Sequence, residues 1–218
     1  MKYPRTYHLP FSPGATNDDK VLHSISHLLN VPLIITEKID GSNVCMSQEG
    51  CFARSHNGPP SHPSFDAFKA LHASIQRLIP DSLSLYGEWC FAKHSIYYDK
   101  LPAYFLLFGV RDVKTGWGSW SEVEYWAERL GLVTVPVVHN DITFETTGAL
   151  TSFITGEARK VSEYGLTREG VVVRLRIGIP PGADFSQFAA KFVRKNHVQT
   201  STHWKHQEII RNQLGNST

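Results

Sequence analysis

The chain reads as an α+β fold with largely antiparallel sheet, on three observations. Short apolar runs that suit strands outnumber the helical patterns. These runs do not alternate regularly with helices, as a doubly wound parallel sheet requires. Proline and glycine punctuate the chain, at Pro13-Gly14, Gly58-Pro59-Pro60 and Pro180-Pro181-Gly182, and keep each element short.

Strands are expected at Val31–Thr36, Val44–Ser47, Phe52–Ser55, Leu83–Phe91, Tyr104–Val110, Gly170–Arg176 and Phe188–Val193. Gln48-Glu49-Gly50 joins the second and third as a hairpin turn. Over Ser64–Ile79, apolar residues from Phe68 to Ile79 recur at helical spacing, with Ser64 as a cap and Pro80 behind. Ser121–Leu130 opens on Ser121-x-x-Glu124, a capping-box pattern, and stops before Gly131. A third helix, amphipathic and mildly basic, is expected over Thr202–Leu214.

Composition sets the outer bounds. The 218 residues suit one domain, and 41% hydrophobic with 11% aromatic content supplies a sizeable core. Lys+Arg 22 against Asp+Glu 20 excludes a polycation, an acidic tail and a disordered chain. It leaves nucleic acid open, because a small basic face fits inside a near-neutral total. Cys45, Cys51 and Cys90 are too few for a disulfide scaffold and lack zinc-ligand spacing. The eleven histidines, His56, His62, His94 and His197 among them, fall at no metal-ligand spacing either. With no signal-like h-region and no long apolar run, a cytoplasmic monomer with no membrane attachment is expected.

The chemistry concentrates in Thr36-Glu37-Lys38-Ile39-Asp40-Gly41-Ser42-Asn43, where an aliphatic strand runs into a lysine. A free amine is protonated at neutral pH and is a poor nucleophile. Desolvation or a neighbouring cation makes it a covalent catalyst. Gly41 lets backbone approach a ligand closely. Alone, the tetrapeptide reads more simply as a surface turn. Further along come Glu88 beside Gly87, Phe108 near the end of an apolar strand, Glu169-Gly170 leading into β-branched residues, and Lys191, Arg194 and Lys195 in a last strand. Strand alternation puts Lys191, Val193 and Lys195 on one face and Arg194 on the other.

Together and in order, these segments resemble the covalent nucleotidyltransferase superfamily of ATP-dependent DNA and RNA ligases and mRNA capping enzymes. Lys38-Ile39-Asp40-Gly41 matches its motif I, Glu88 motif III, Phe108 motif IIIa, Glu169-Gly170 motif IV and Lys191 motif V. Asn43 after Ser42, where DNA ligases carry arginine, and the segment from Arg54 to Gly58 resemble the bacteriophage RNA ligase 2 group. His8-Leu9-Pro10 and Asp18-Asp19 resemble the start of its small members. The resemblance implies a nucleotidyltransferase (ATP-grasp-like) fold whose antiparallel sheets flank an ATP pocket. It implies such a domain over residues 1–200 and a short helix and tail over 201–218. Only 23 residues follow Lys195, too few for an OB-fold domain.

The resemblance also implies roles. Lys38 attacks the α-phosphorus of ATP, and Lys191 binds the α-phosphate and lowers the proton affinity of Lys38. Glu88 contacts the ribose, Phe108 stacks on adenine and Glu37 accepts the adenine amino group. Glu169 holds Mg²⁺ or Mn²⁺, directly or through water. Asn43 and Arg54 engage phosphate. Asp40 either orients Lys38 or braces the turn. RNA is the implied partner, with His203, Lys205, His206 and Arg211 as candidate contacts. One departure stands out: the family's motif V has a second lysine two positions earlier, where this chain has Ala189, leaving Lys195 or Arg194 to compensate. A DNA ligase, a capping guanylyltransferase and a non-catalytic nucleic-acid-binding module are the rival functions.

Overall fold

The computed structural model describes residues 1–54, 58–195 and 209–215. In chain order the described elements are β1 (Tyr7–His8), β2 (Leu33–Lys38), β3 (Ser42–Ser47), β4 (Gly50–Ala53), α1 (Asp66–Ile75), β5 (Leu83–Trp89), β6 (Phe105–Asp112), β7 (Gly116–Trp117), α2 (Trp120–Leu130), β8 (Val133–Thr134), β9 (Val137–Ile142), α3 (Thr147–Ala158), β10 (Gly170–Leu175) and β11 (Ala189–Val193). The strands form two sheets, ordered β1-β11-β10-β2-β9 and β4-β3-β5-β6-β7, with β8 beside β6. Only β1 with β11 and β8 with β6 pair in parallel. The α+β, largely antiparallel architecture is therefore as expected, and the described residues form no closed barrel.

Strand β2 shows how sequence alternation separates core from site. Successive side chains of a strand point to opposite faces. Leu33 and Ile35 enter one apolar cluster with Leu150 and Ile154 of α3. Ile34 enters the other, with Leu85, Phe105 and Trp120 of the second sheet and α2. Thr36 and Lys38 continue the Ile34 face and come out where the two sheets meet.

The helices differ from expectation in ways the side chains explain. The first is broken: a 3-10 turn at Pro63–Phe65, capped by the His62 side chain, precedes α1, and a second at Gln76–Leu78 follows it. In α2 the capping box is Ser119 with Glu122, two residues earlier than Ser121 with Glu124. Glu124 instead accepts from Trp120 Nε1 at 2.9 Å. Helix α3 has no strong sequence pattern; two glycines and four threonines dilute its apolar face, and only the cap at Thr146 is orthodox.

The expected helix over Thr202–Leu214 is corrected where it can be seen. Residues 209–215 are extended and bridge Ala92 and Leu101. Asn212, fully buried, accepts from Tyr98 N–H at 2.9 Å and donates to Cys90 O at 2.8 Å. A helix would withdraw the backbone groups that pair with Phe91, Lys93, Tyr98 and Leu101. His203, Lys205 and His206 lie outside the described residues, as do Ser55, His56 and Asn57. No helix among the described residues is long and apolar enough to cross a membrane.

Candidate active site

The site is built from the ends of strands of both sheets. Strand β10 lies between β2 and β11, so Lys38 pairs with Gly170, Thr36 with Val172, and Val172 in turn with Lys191. On the second sheet Asn43 pairs with Glu88. A cavity of about 570 Å³ between the sheets is bordered by Lys38, Asn43, Arg54, Glu88, Phe108 and Lys191. That volume lies in the range of small-molecule sites.

Two glycines let these strands close up. A Cβ on Gly170 would sit 1.9 Å from the Phe192 carbonyl oxygen, so only glycine allows β10 to run this tightly against β11. A Cβ on Gly41 would lie 2.7 Å from Trp89 O. The close approach at Gly41 is thus first to a neighbouring strand, although Gly41 also borders the cavity.

Lys38 Nζ donates to Glu169 Oε2 at 2.6 Å. Burial favours the neutral amine, but Glu169, Glu88 and Asp40 outweigh it and raise the lysine above its ordinary value. Burial pushes the Glu88 carboxyl up to about 8, with Lys38 opposing and Glu169 and Asp40 reinforcing. Glu169 is raised for the same first reason, its own burial. Carboxylates thus crowd one lysine, an arrangement with surplus negative charge that a cation relieves.

Lys191 supplies the facing charge. Burial and the nearby Lys38 lower its proton affinity, and Asp19 raises it. Asp19 Oδ1 lies 3.6 Å from Lys191 Nζ and 3.4 Å from His8 Nε2. Burial alone would raise Asp19, but hydrogen bonds from Thr16, with Lys191 and His8, bring it down to about 2. Burial and Lys191 together bring His8 down to about 4. The amino-terminal segment therefore joins the site through β1, which runs beside β11.

Several expected residues take other duties. Asp40 Oδ2 accepts the N–H groups of Ser95 and Ile96 at 2.7 and 2.9 Å, so it braces the turn after Lys38. Glu37 borders the cavity, yet alternation turns its side chain away from the Lys38 face. There its carboxylate accepts from Glu163 N–H at 3.0 Å and Arg168 Nε at 3.3 Å, contacts that hold β2 in place. Arg194 and Lys195 do not border the cavity; β11 ends at Val193, Arg194 N–H donates to Glu169 O, and Lys195 is exposed. Arg211 lies over the rings of Phe91 and Tyr104 at 4.9 and 5.1 Å.

Other residues at the site were not singled out from sequence. Thr36 Oγ1 is buried on the Lys38 face without a hydrogen-bond partner. Arg174 and Tyr3 also border the cavity. Tyr3 meets Phe108 edge-on, with ring centroids 5.0 Å apart. Only the alternation along β2 and β10 would have flagged the first two. Nothing local marks Tyr3.

Comparison with known proteins places this geometry. The family model described as RNA ligase matches residues 31–193, well over half of the chain. No curated protein was found to match. Among solved structures, Naegleria gruberi RNA ligase with PPi is similar at 20% identity and a TM-score of 0.55, covering 76% of this chain and 50% of that one. A mutant of the same ligase with ATP and Mn gives 20% identity and a TM-score of 0.56, covering 77% and 51%. A mutant without ligand gives 17% identity and a TM-score of 0.57, covering 88% and 57%. The chain thus spans about half the length of the first of these structures, and at such identity the likeness is one of fold.

Proposed function

The chain belongs to the RNA ligase family, and from that premise we propose that it is an ATP-dependent RNA ligase working through a lysyl-adenylate. The observation that carries this is Lys38 Nζ at the cavity wall, bonded to Glu169 and two strands from Lys191.

Lys38 Nζ attacks the α-phosphorus of ATP. The N–P bond forms, the bond to pyrophosphate breaks, and the amine gives up its proton; Glu169 Oε2, at 2.6 Å, is within reach to take it. Lys191 neutralises the α-phosphate, Glu88 meets the ribose, and the base lies between Phe108 and Val172. Thr36 Oγ1 is available as a partner for the ligand. Asn43 and Arg54 engage the outer phosphates, and later the RNA 5′-phosphate. Glu169 and Glu88 present the carboxylate oxygens that suit Mg²⁺ or Mn²⁺, an ion that neutralises phosphate charge when bound. AMP then passes from Lys38 to an RNA 5′-phosphate, and a 3′-hydroxyl attacks that phosphate, releasing AMP.

Incubation with radiolabelled ATP or GTP and Mg²⁺, followed by a denaturing gel, tests the first step. Label from ATP, lost in Lys38→Ala, is expected. Label from GTP alone would point to a capping-type reaction and sink the proposal. A nick-sealing panel with RNA or DNA on either side tests the rest; equal sealing of all-DNA nicks would refute the RNA assignment.

A further inference from the structure

The cation missing at Ala189 has a counterpart on the neighbouring strand. Strand β10 pairs with β11 so that Arg174 is directly opposite Ala189, as Val172 is opposite Lys191. Two-residue periodicity puts Arg174 and Val172 on the same face, toward the cavity, and Arg174 borders it. Its Nη1 donates to Phe108 O at 2.6 Å, and its guanidinium lies 5.2 Å over the ring of Trp120. Its Nε is buried with no hydrogen-bond partner. Among the described residues, no carboxylate comes within ion-pair distance of it. A guanidinium does not shed its charge, so one held in this way calls for acceptors from a ligand.

The register also says which part of a nucleotide it meets. Along β2 and β10 the rows run Lys38 with Gly170, Thr36 with Val172, Ile34 with Arg174. Arg174 is therefore at the end of the cavity away from the nucleophile, beyond Val172. It is bonded to the carbonyl of the aromatic residue that flanks the base. The ring nitrogens of adenine are acceptors and a guanidinium offers only donors. We infer that Arg174 is a specificity residue of this site, donating to a ring nitrogen of the adenine base. The inference rests on the nucleotide-binding function proposed above.

The test compares kcat/KM for self-adenylylation with ATP and with 1-deaza-, 3-deaza- and 7-deaza-ATP, in wild type, Arg174→Met and Arg174→Lys. Methionine keeps an apolar stem over Trp120 and removes every donor. The wild type is expected to lose about tenfold or more with one deaza analogue, because the guanidinium is then left unpaired. Arg174→Met should already show that loss with ATP, mainly in KM, and lose little more with the same analogue. Arg174→Lys should recover part of the discrimination. Equal losses for each analogue in wild type and Arg174→Met would overturn the inference and leave Arg174 as a structural tie to Phe108. Should Arg174→Met not fold, a wild type indifferent to all three analogues would overturn it unaided. A wild type that forms no adduct with ATP would refute the nucleotide function itself, and this inference with it.

Discussion

Lys38 and Glu169, 131 positions apart in the chain, meet at 2.6 Å on adjacent strands. The nucleophile is thus held as an ammonium against the carboxylate proposed to hold metal. Glu169→Gln keeps the shape and removes the charge. Self-adenylylation is expected to fall by on the order of a hundredfold. The deficit should shrink only at raised Mg²⁺ or Mn²⁺. A rate within twofold of wild type at all metal concentrations would remove Glu169 from the mechanism.

The His8–Asp19–Lys191 cluster makes stability depend on pH. Unfolded histidine titrates near 6.5, whereas burial holds His8 at about 4. Between those values the unfolded chain binds a proton that the folded chain does not, so stability falls as pH drops through the window. Urea unfolding of wild type should lose about 2 kcal/mol between pH 7 and 4.5 relative to His8→Gln. Parallel pH profiles for the two proteins would contradict the burial of a neutral imidazole. Asp19, held at about 2, acts further down: its contribution is complete above the unfolded carboxyl value and disappears as pH falls toward 2.

Gly170→Ala is expected to cost about 3 kcal/mol, because the added methyl meets backbone and not a movable side chain. The same change pushes β10 from β11 and so separates Glu169 from Lys191. Denaturant midpoint and adduct formation should therefore fall together. A normal midpoint would mean that the two strands approach less closely than described.

Ser119→Ala serves as the contrasting case. It removes the capping box of α2, with Glu122 left to fray, at about 1 kcal/mol. Residues 119–130 border no part of the cavity, so the adduct should form at the wild-type rate at temperatures well below unfolding. Slowed adduct formation there would reveal a coupling between α2 and the site.

The strands that carry Lys38, Glu88, Phe108, Glu169 and Lys191 were legible because each pairs an apolar or β-branched run with one polar interruption. Their order in the chain then pointed to one chemistry. What escaped depended on partners distant in sequence. The pattern around Ile210 and Leu214 suits a helix locally, but Asn212 has its hydrogen bonds with Cys90 and Tyr98, and that tertiary pairing decides the conformation. Helix α3 is covered by the first sheet, so packing overrides its weak propensity. Arg174 looks like a charged strand end until the register places it opposite Ala189. Glu37 sits beside the nucleophile in sequence, yet one step along a strand is a change of face.

The segment around Asn212 reaches further than its own packing. Asn212 fixes the backbone at Tyr98, and the Tyr98 hydroxyl accepts from Asp40 N–H, two residues from the nucleophile. The residues 209–215 therefore belong to the machinery that seats Lys38, and no fragment trimmed before them should be mistaken for a minimal catalytic unit.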